Sequence, residues 1–462
     1  MNLVWQQLTL SNQPLREWLG TSYLHRLVGV LQTWRQSSWL LQWADPIGVV
    51  LLSVVFGLAP FVSNTSTTLI GLVLVACAGF WVLVTLSDDA AQNSALTPIH
   101  LLALLYWSLA TVATALSPVK KAAFNGWSTL TLYLVLFALM ARVLQKPRLR
   151  SWLITFYLHI ALIVSIYGLR QWFFGAAQLA TWVDPQSPEA NITRVYSYIG
   201  NPNELGSYLL PAVAFSMAAL FAWRGWIPKA LALTMTVVNL ACLILTFSTG
   251  SWNGLVLLVL ALLMLLFHWW SEELPGFWRT WTMPIILGGV ALLLVLAIAF
   301  VEPIRERAAR NLAGWNDSSN SIRLNVWAAV MEMIHDRPLI GIGPGHDAFN
   351  QIYPLYQRTN DGALSAYSIF LQTAVETGII GLIGFLWLLL VTCTQGWLQL
   401  VRLRQQRCRD GFWLMGAFAA LLGLLGHGLV DTVWYRPPVN TLVWLMFGLI
   451  ASYSSYQQPS GR

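Results

Sequence analysis

The sequence predicts an all-α protein: a polytopic transmembrane helical bundle of about twelve spans, with a long extracytoplasmic loop between spans nine and ten. Three observations carry this. The chain is 57% hydrophobic and only 10% charged, where soluble proteins carry about a quarter charged residues. Apolar runs of roughly twenty residues, enough to cross a bilayer as helix, recur along it. Many of its 25 tryptophans sit at run ends, among them Trp81, Trp107, Trp127, Trp152, Trp172, Trp223, Trp252 and Trp281, as aromatic belts do.

Residues 1–43 precede the first span. Leu24, Leu27, Val28, Leu31 and Trp34 recur there at helical spacing among His25, Arg26, Gln32 and Arg35, which predicts a helix lying in the membrane interface. Spans one to nine occupy 44–301, at Ala44–Val62, Thr67–Leu86, Ile99–Leu116, Trp127–Val143, Trp152–Trp172, Leu205–Trp223, Ile227–Phe247, Trp252–Trp270 and Trp281–Val301. A polar interval, 302–365, reads as a small domain at the membrane surface. Spans ten to twelve follow in 366–453, at Ala366–Cys393, Phe412–Leu429 and Pro438–Tyr453, with 454–462 as a tail.

Charge sets the expected orientation. With the N-terminus inside, fifteen of the 26 Lys and Arg fall in cytoplasmic segments, five in short outer segments and six in the long loop. Short loops obey the positive-inside rule and long ones do not, so both termini are expected in the cytoplasm and the long loop outside. Asp88–Asp89 and Lys120–Lys121 disagree locally. The net charge of +7 is accounted for by these membrane-flanking bases, and no nucleic-acid partner is expected. The cysteines Cys77, Cys242, Cys393 and Cys408 form no CxxC pair, so no zinc site or disulfide framework is expected. No cofactor is implied, and no cleavable signal is read: the first apolar run is too late and too long.

The polar loops hold the candidate site. Asn201-Pro-Asn203 directly before a span reads either as a helix cap or as polar groups at a cavity mouth. In the long loop, Ser318, Ser319 and Asn320 offer caps, Ile322, Val326, Ala329, Val330 and Met333 follow at helical spacing, and Pro338 ends the element. This predicts an amphipathic helix, with Arg323 and Trp327 on one face. Arg323 suits a phosphate or carboxylate, or simply reaches to headgroups. Gly341-Ile-Gly343-Pro-Gly345-His346 lacks phosphate-loop spacing and reads as a tight turn. Glu376, inside a span, is a functional candidate, with Arg323 or Arg194 expected as its partner. Asp431 and Arg436 read as a local pair. No broken pair of helices of the transporter kind is evident.

In this order, Arg194, Asn201-Pro-Asn203, Phe247-Ser-Thr-Gly250, Ile322-Arg323-Leu-Asn-Val-Trp327, Pro338-Leu-Ile-Gly341-Ile-Gly343 and Glu376-Thr-Gly378, the chain resembles the O-antigen ligase and polymerase superfamily. Thr97-Pro-Ile-His100, Arg148-Leu-Arg150, Ala180-Thr-Trp-Val-Asp184 and Tyr353-Pro-Leu-Tyr356 extend a resemblance to its cyanobacterial bicarbonate-transporter branch, the inorganic carbon transporter B family. The superfamily's enzymes transfer glycans from undecaprenyl diphosphate. The resemblance implies arginines for the diphosphate, matched by Arg194 and Arg323, and a loop histidine as base. The usual Ser-Arg-Gly reads Ser248-Thr249-Gly250, however, and the usual Ala-His-Asn reads Ala366-Tyr367-Ser368. A tyrosine of pKa near 10 is a poor base at neutral pH, so no catalytic residue is assigned.

The resulting expectation is a multi-pass protein of the cell inner membrane. It binds an anion, bicarbonate or a lipid-linked diphosphate, through Arg194, Asn203, Arg323, Trp327 and Glu376, and takes part in inorganic carbon uptake. The alternatives are a glycan transferase in which His346 stands in for the missing base beside Tyr367 and Arg323, or a scaffold whose loop docks a membrane-protein partner.

Overall fold

The structure, a computed structural model, describes residues 3–11, 28–62, 68–88, 96–176, 193–300, 302, 305, 318–358 and 362–454. Among them every regular element is helical: α1 Leu3–Leu8, α2 Gln32–Ser37, α3 Trp39–Gln42, α4 Ala44–Leu58, α5 Thr68–Ser87, α6 Pro98–Ala115, α7 Lys120–Val143, α8 Pro147–Phe174, α9 Pro202–Ala222, α10 Trp226–Ile244, α11 Thr249–Trp270, α12 Gly276–Phe300, α13 Ser318–Asp336, α14 His346–Ile352, α15 Ile369–Gln405, α16 Asp410–Gly428 and α17 Pro437–Ser454. Ten of these are long and apolar enough to cross a membrane. The helices α12 and α17 stand where the ninth and twelfth spans are expected, and are not among the ten. Of the expected interfacial helix, Leu24, His25, Arg26 and Leu27 lie outside the described residues, as does the Ala180–Asp184 motif.

Helix starts follow local chemistry. Thr97-Pro-Ile-His100 is a capping box: the Thr97 side chain serves the third backbone N–H, and the His100 ring serves the Thr97 N–H. Asn201 accepts from the N–H groups of Asn203 and Glu204, with Pro202 in the first turn of α9, so the cap reading of Asn-Pro-Asn holds. Ser248 caps α11 in the same way.

The chain alternates between two ends of the bundle. At one end Asp88 is paired with both Arg35 and Arg142, Lys146 lies 2.5 Å from Asp45, and Arg150 lies 3.1 Å from Asp410. The acid that disagreed with the charge rule is therefore matched by two bases at its own end; Asp89 lies outside the described residues. At the other end meet Arg194 with the Thr246 carbonyl, Glu204 with Arg436, and Ser117 with the Ile342 carbonyl of the long loop.

The bundle centre is α9, α11 and α16. The spanning parts of α9 and α16 are 78% and 89% buried, against 22% for the peripheral α5. Small residues allow the approach. A Cβ on Gly206 would overlap Ser251, and one on Gly254 would overlap the Gly423 carbonyl. This backbone-to-backbone packing substitutes for a hydrophobic drive that lipid cannot supply. The short α1 is tied to α15: the Trp387 indole donates to the Leu8 carbonyl at 2.7 Å.

The long loop builds a second, smaller core. As its spacing predicts, α13 buries Val326, Ala329, Val330 and Met333, here against Ile342, Phe349, Tyr353 and Val375. What the sequence reading missed is how the loop joins the bundle. The helix α15 is interrupted at Gly378, whose φ 71°, ψ −178° is non-helical. The freed backbone groups are taken up by the loop: Ile342 N–H donates to Val375 O at 2.9 Å, Gly343 N–H to Glu376 O at 2.9 Å, and Ile379 N–H to Pro338 O at 2.8 Å. The glycine turn is the counterpart of that break. A Cβ on Gly341 would overlap the Val375 carbonyl, and one on Gly345 would sit 2.6 Å from Gly126 Cα.

Gly378→Ala places a side chain in a backbone region essentially reserved for glycine, at about 1–3 kcal/mol of strain, and drives its Cβ into the Leu339 carbonyl. We expect this variant to lose most monodisperse protein in size-exclusion chromatography after detergent extraction. Gly79→Ala, which meets nothing within 4 Å, should extract like the parent. Equal yields of the two would contradict the stitched-break description.

Candidate functional site

The polar groups at the loop end converge on the start of α9. The segment before the Asn201 cap brings in Arg194, whose Nε donates to Thr246 O at 3.0 Å and whose Nη2 donates to Asn203 Oδ1 at 3.0 Å. The backbone of Asn203 lies beside the ring of His427, the next-to-last residue of α16. Gly250 permits the ring's position: a Cβ there would meet its Nε2 and Cδ2 at 3.1 Å. Asp431 and Arg323 are the charged neighbours of His427, and the same two flank Tyr367. Arg194 is thus held on Asn203 at the α9 cap, and Arg323, on α13, is among the charged neighbours of the His427 ring beside it.

Arg323 is half-buried, and no side-chain ion pair or hydrogen bond holds it among the described residues. Burial first, and Asp431 next, raises the Tyr367 hydroxyl above its ordinary range, with Arg323 opposing. Tyr367 is also held at φ 46°, a left-handed conformation uncommon outside glycine. Phe247, two residues before Thr249, has φ 49°. Strained backbone of this kind gathers at ligand sites.

Trp327 and Glu376 serve a different purpose. The Trp327 indole donates to Ala366 O at 3.0 Å, Ala366 N–H donates to Gln372 Oε1 at 2.8 Å, and Gln372 Nε2 donates to Glu376 Oε1 at 2.8 Å. This chain fixes the 366–368 turn that presents Tyr367. Neither Arg194 nor Arg323 partners Glu376, contrary to expectation. The carboxylate lies under the glycine turn, where Gln372 and the Gly345 backbone reach it.

Two further expectations are corrected. Arg436 does not pair with Asp431: its Nε lies 2.9 Å from Glu204 Oε1, while Asp431 accepts from the Thr432 N–H. Glu204 is only 3% exposed, so its burial needs the charge that Asp431 would only oppose. Nor does His346 stand beside Tyr367 and Arg323. Its ring stacks on Tyr435 at 4.8 Å and 11°, and burial, followed by Arg436, lowers its pKa. Burial pushes the Tyr435 hydroxyl up to about 12. The imidazole that does share neighbours with Tyr367 is His427, which the sequence reading passed over inside an apolar run. An ionisable residue within a span is a functional candidate by default, and that signal was there to be used.

Two cavities lie elsewhere. One of about 830 Å³ is apolar, lined by Trp5, Met264, His268, Thr394 and Phe418 among others. Another of about 510 Å³ surrounds Asp45, Asp88 and Arg142 at the opposite end. Neither takes in any of the five expected site residues.

Removing one partner of a buried ion pair typically costs about 3–5 kcal/mol, and an exposed pair about 0–1 kcal/mol. Arg436→Ala should therefore lower the thermal unfolding midpoint in detergent by several degrees. Arg358→Ala, which breaks a half-exposed pair with Glu332, should leave it within about a degree. Glu204→Gln combined with Arg436→Ala should recover part of the loss. A midpoint unmoved by Arg436→Ala alone would overturn the pairing.

An O-antigen ligase family model matches residues 208–386, from the second turn of α9, through α13 and the glycine turn, to the half of α15 beyond its break. No curated protein matches the chain. The match covers less than half of the chain and is a likeness to that family over those residues; the ten long apolar helices support a multi-pass membrane protein.

Proposed function

We propose that this membrane protein binds an anionic ligand at its loop-covered end, through Arg194, Asn203 and Arg323, and that this end is extracytoplasmic. What supports the reading is the hydrogen bond of Arg194 to Asn203 beside His427, with Arg323 among the charged neighbours of that ring. One of the two has no acidic partner among the described residues. Such a group, half removed from water, is a strong site for an oxyanion, because a charge-assisted hydrogen bond is about twice as strong as a neutral one. Following the branch resemblance, we take bicarbonate as the ligand and inorganic carbon uptake as the context. Trp327 and Glu376 support the site through the Tyr367 turn and do not contact the ligand. Residues 302–365 act as the lid domain, and both termini face the cytoplasm of the inner membrane.

A second reading is favoured by one observation, the O-antigen ligase match, which takes in Thr249, Arg323 and Tyr367 but not Arg194 or Asn203. In it the anion is a lipid-linked diphosphate and the reaction is glycan transfer. Thr249 offers no charge to a diphosphate. Tyr367, its hydroxyl pKa raised by burial, stays protonated at neutral pH and is less available as a base than an exposed tyrosine. Both count against this reading. A membrane-protein partner docked on the loop is a third reading, in which the arginines are dispensable.

The assay is binding of labelled bicarbonate to the protein in nanodiscs and its uptake into proteoliposomes, run beside lipid-linked glycan transfer. Arg323→Ala and Arg194→Ala should each weaken the bicarbonate signal about tenfold, the usual scale of a charged hydrogen bond. Arg358→Ala should not. Equal behaviour of Arg323→Ala and Arg358→Ala would remove the proposal, and Arg323-dependent glycan transfer would replace it with the second reading. For orientation, a cysteine introduced as Glu332→Cys should react with an impermeant maleimide on intact cells, and one introduced as Arg148→Cys should not. The opposite pattern would invert the topology.

A further inference from the structure

We infer that His427 is a ligand-contacting residue of this site, hydrogen-bonding an oxyanion held by Arg194 and Arg323; the inference rests on the anion-binding reading above. The ring is 0% exposed, yet neither Nδ1 nor Nε2 has a hydrogen-bond partner. A neutral imidazole carries one N–H donor and one bare acceptor nitrogen. Leaving both unmatched in the interior is costly, and buried polar groups with no partner are few in native proteins and call for an explanation. The Asn203 backbone lies beside the ring, and even a bond from it would leave one ring nitrogen unmatched.

The surroundings fit an oxyanion. Gly250 abuts the ring, where any larger residue would meet it at 3.1–3.3 Å. The glycine of Ser248-Thr249-Gly250 thereby clears the place that His427 occupies. Facing the ring are Arg323 from α13 and Asp431 from the turn after α16. Tyr367, before α15, shares those two neighbours. Glu204 on α9 is also a charge neighbour of Asp431, and it is occupied by Arg436. The two arginines supply positive charge, and His427 adds what they lack: a ring able to donate to one ligand oxygen and accept from a protonated one. Bicarbonate and a terminal phosphate share that chemistry. The competing account is a histidine held only by packing.

Solution NMR of the full-length protein in nanodiscs, labelled with ¹⁵N-histidine, separates the two. The chain has seven histidines, and the His427 ring signals are assigned by their loss in His427→Gln. Bicarbonate and inorganic pyrophosphate are titrated in separate arms, with tryptophan fluorescence following binding independently. The expected result is movement of the His427 signals along the fluorescence isotherm of at least one probe, with His335, 88% exposed, unmoved. His427→Gln should weaken that probe about tenfold, as loss of one buried hydrogen bond does. Gly250→Ala, which keeps the imidazole but shifts it, should weaken binding too and keeps the test open if His427→Gln does not fold. Arg323-dependent binding with stationary His427 signals would overturn this inference alone. Binding of neither probe would remove both it and the anion-binding reading.

Discussion

The hydrogen bonds that join the glycine turn to the interrupted α15 are the constraint on which the rest of the site depends. In lipid an unpaired backbone group has no water to turn to, so a break in a spanning helix survives only where protein satisfies it. Here the loop backbone at Pro338, Ile342 and Gly343 supplies the partners for Val375, Glu376 and Ile379. Such contact brings main chain against main chain, and that explains why Gly341, Gly343 and Gly378, all at positive φ, stand where side chains would collide. The same turn is held from its other side by Ser117 and by the glycine at 126, against which Pro344 and Gly345 lie. The loop is thereby clamped between α7 and α15, and Arg323 and Tyr367 are carried to a fixed place over α9, α11 and α16.

Charge placement follows from that geometry. At the end away from the loop, acids and bases are interleaved: Asp88 with Arg35 and Arg142, Asp45 with Lys146, Asp410 with Arg150. At the loop end one buried pair, Glu204 with Arg436, is closed, and the Arg194 guanidinium is directed by neutral acceptors, Thr246 O and Asn203 Oδ1. These two acceptors set the direction of the Arg194 guanidinium at the start of α9.

The fold was legible where one physical signal dominates. Hydropathy located the spans, and helical periodicity located α13 with its buried face, because both are local properties of the chain. That Arg194, Asn203 and Arg323 gather at the loop end was legible from their places in the polar segments. The hydrogen bonds of Trp327 and Glu376 to Ala366 and Gln372 were not, because the turn before α15 alone brings those partners to them. Arg436 was misassigned for a related reason. Nearness in sequence favoured Asp431, whereas a carboxylate as deeply buried as Glu204 has the greater need of a counter-charge. The stitched break lay beyond any reading of periodicity, since Gly378 interrupts an apolar run without changing its hydropathy.

The depth of the site bears on what the protein does with a ligand. Glu204 is the third residue of α9, Thr249 the first of α11, and His427 the next-to-last of α16. At 1.5 Å per residue these lie within a turn or so of one membrane face, whereas secondary carriers hold their cargo near the bilayer midplane between repeats. Below the site, α9 packs through Gly206 on the Ser251 side chain of α11, and α11 meets α16 main chain to main chain at Gly254 and Gly423. On the anion-binding proposal, this close packing below the site fits recognition of an anion at one face better than its passage through the bundle centre.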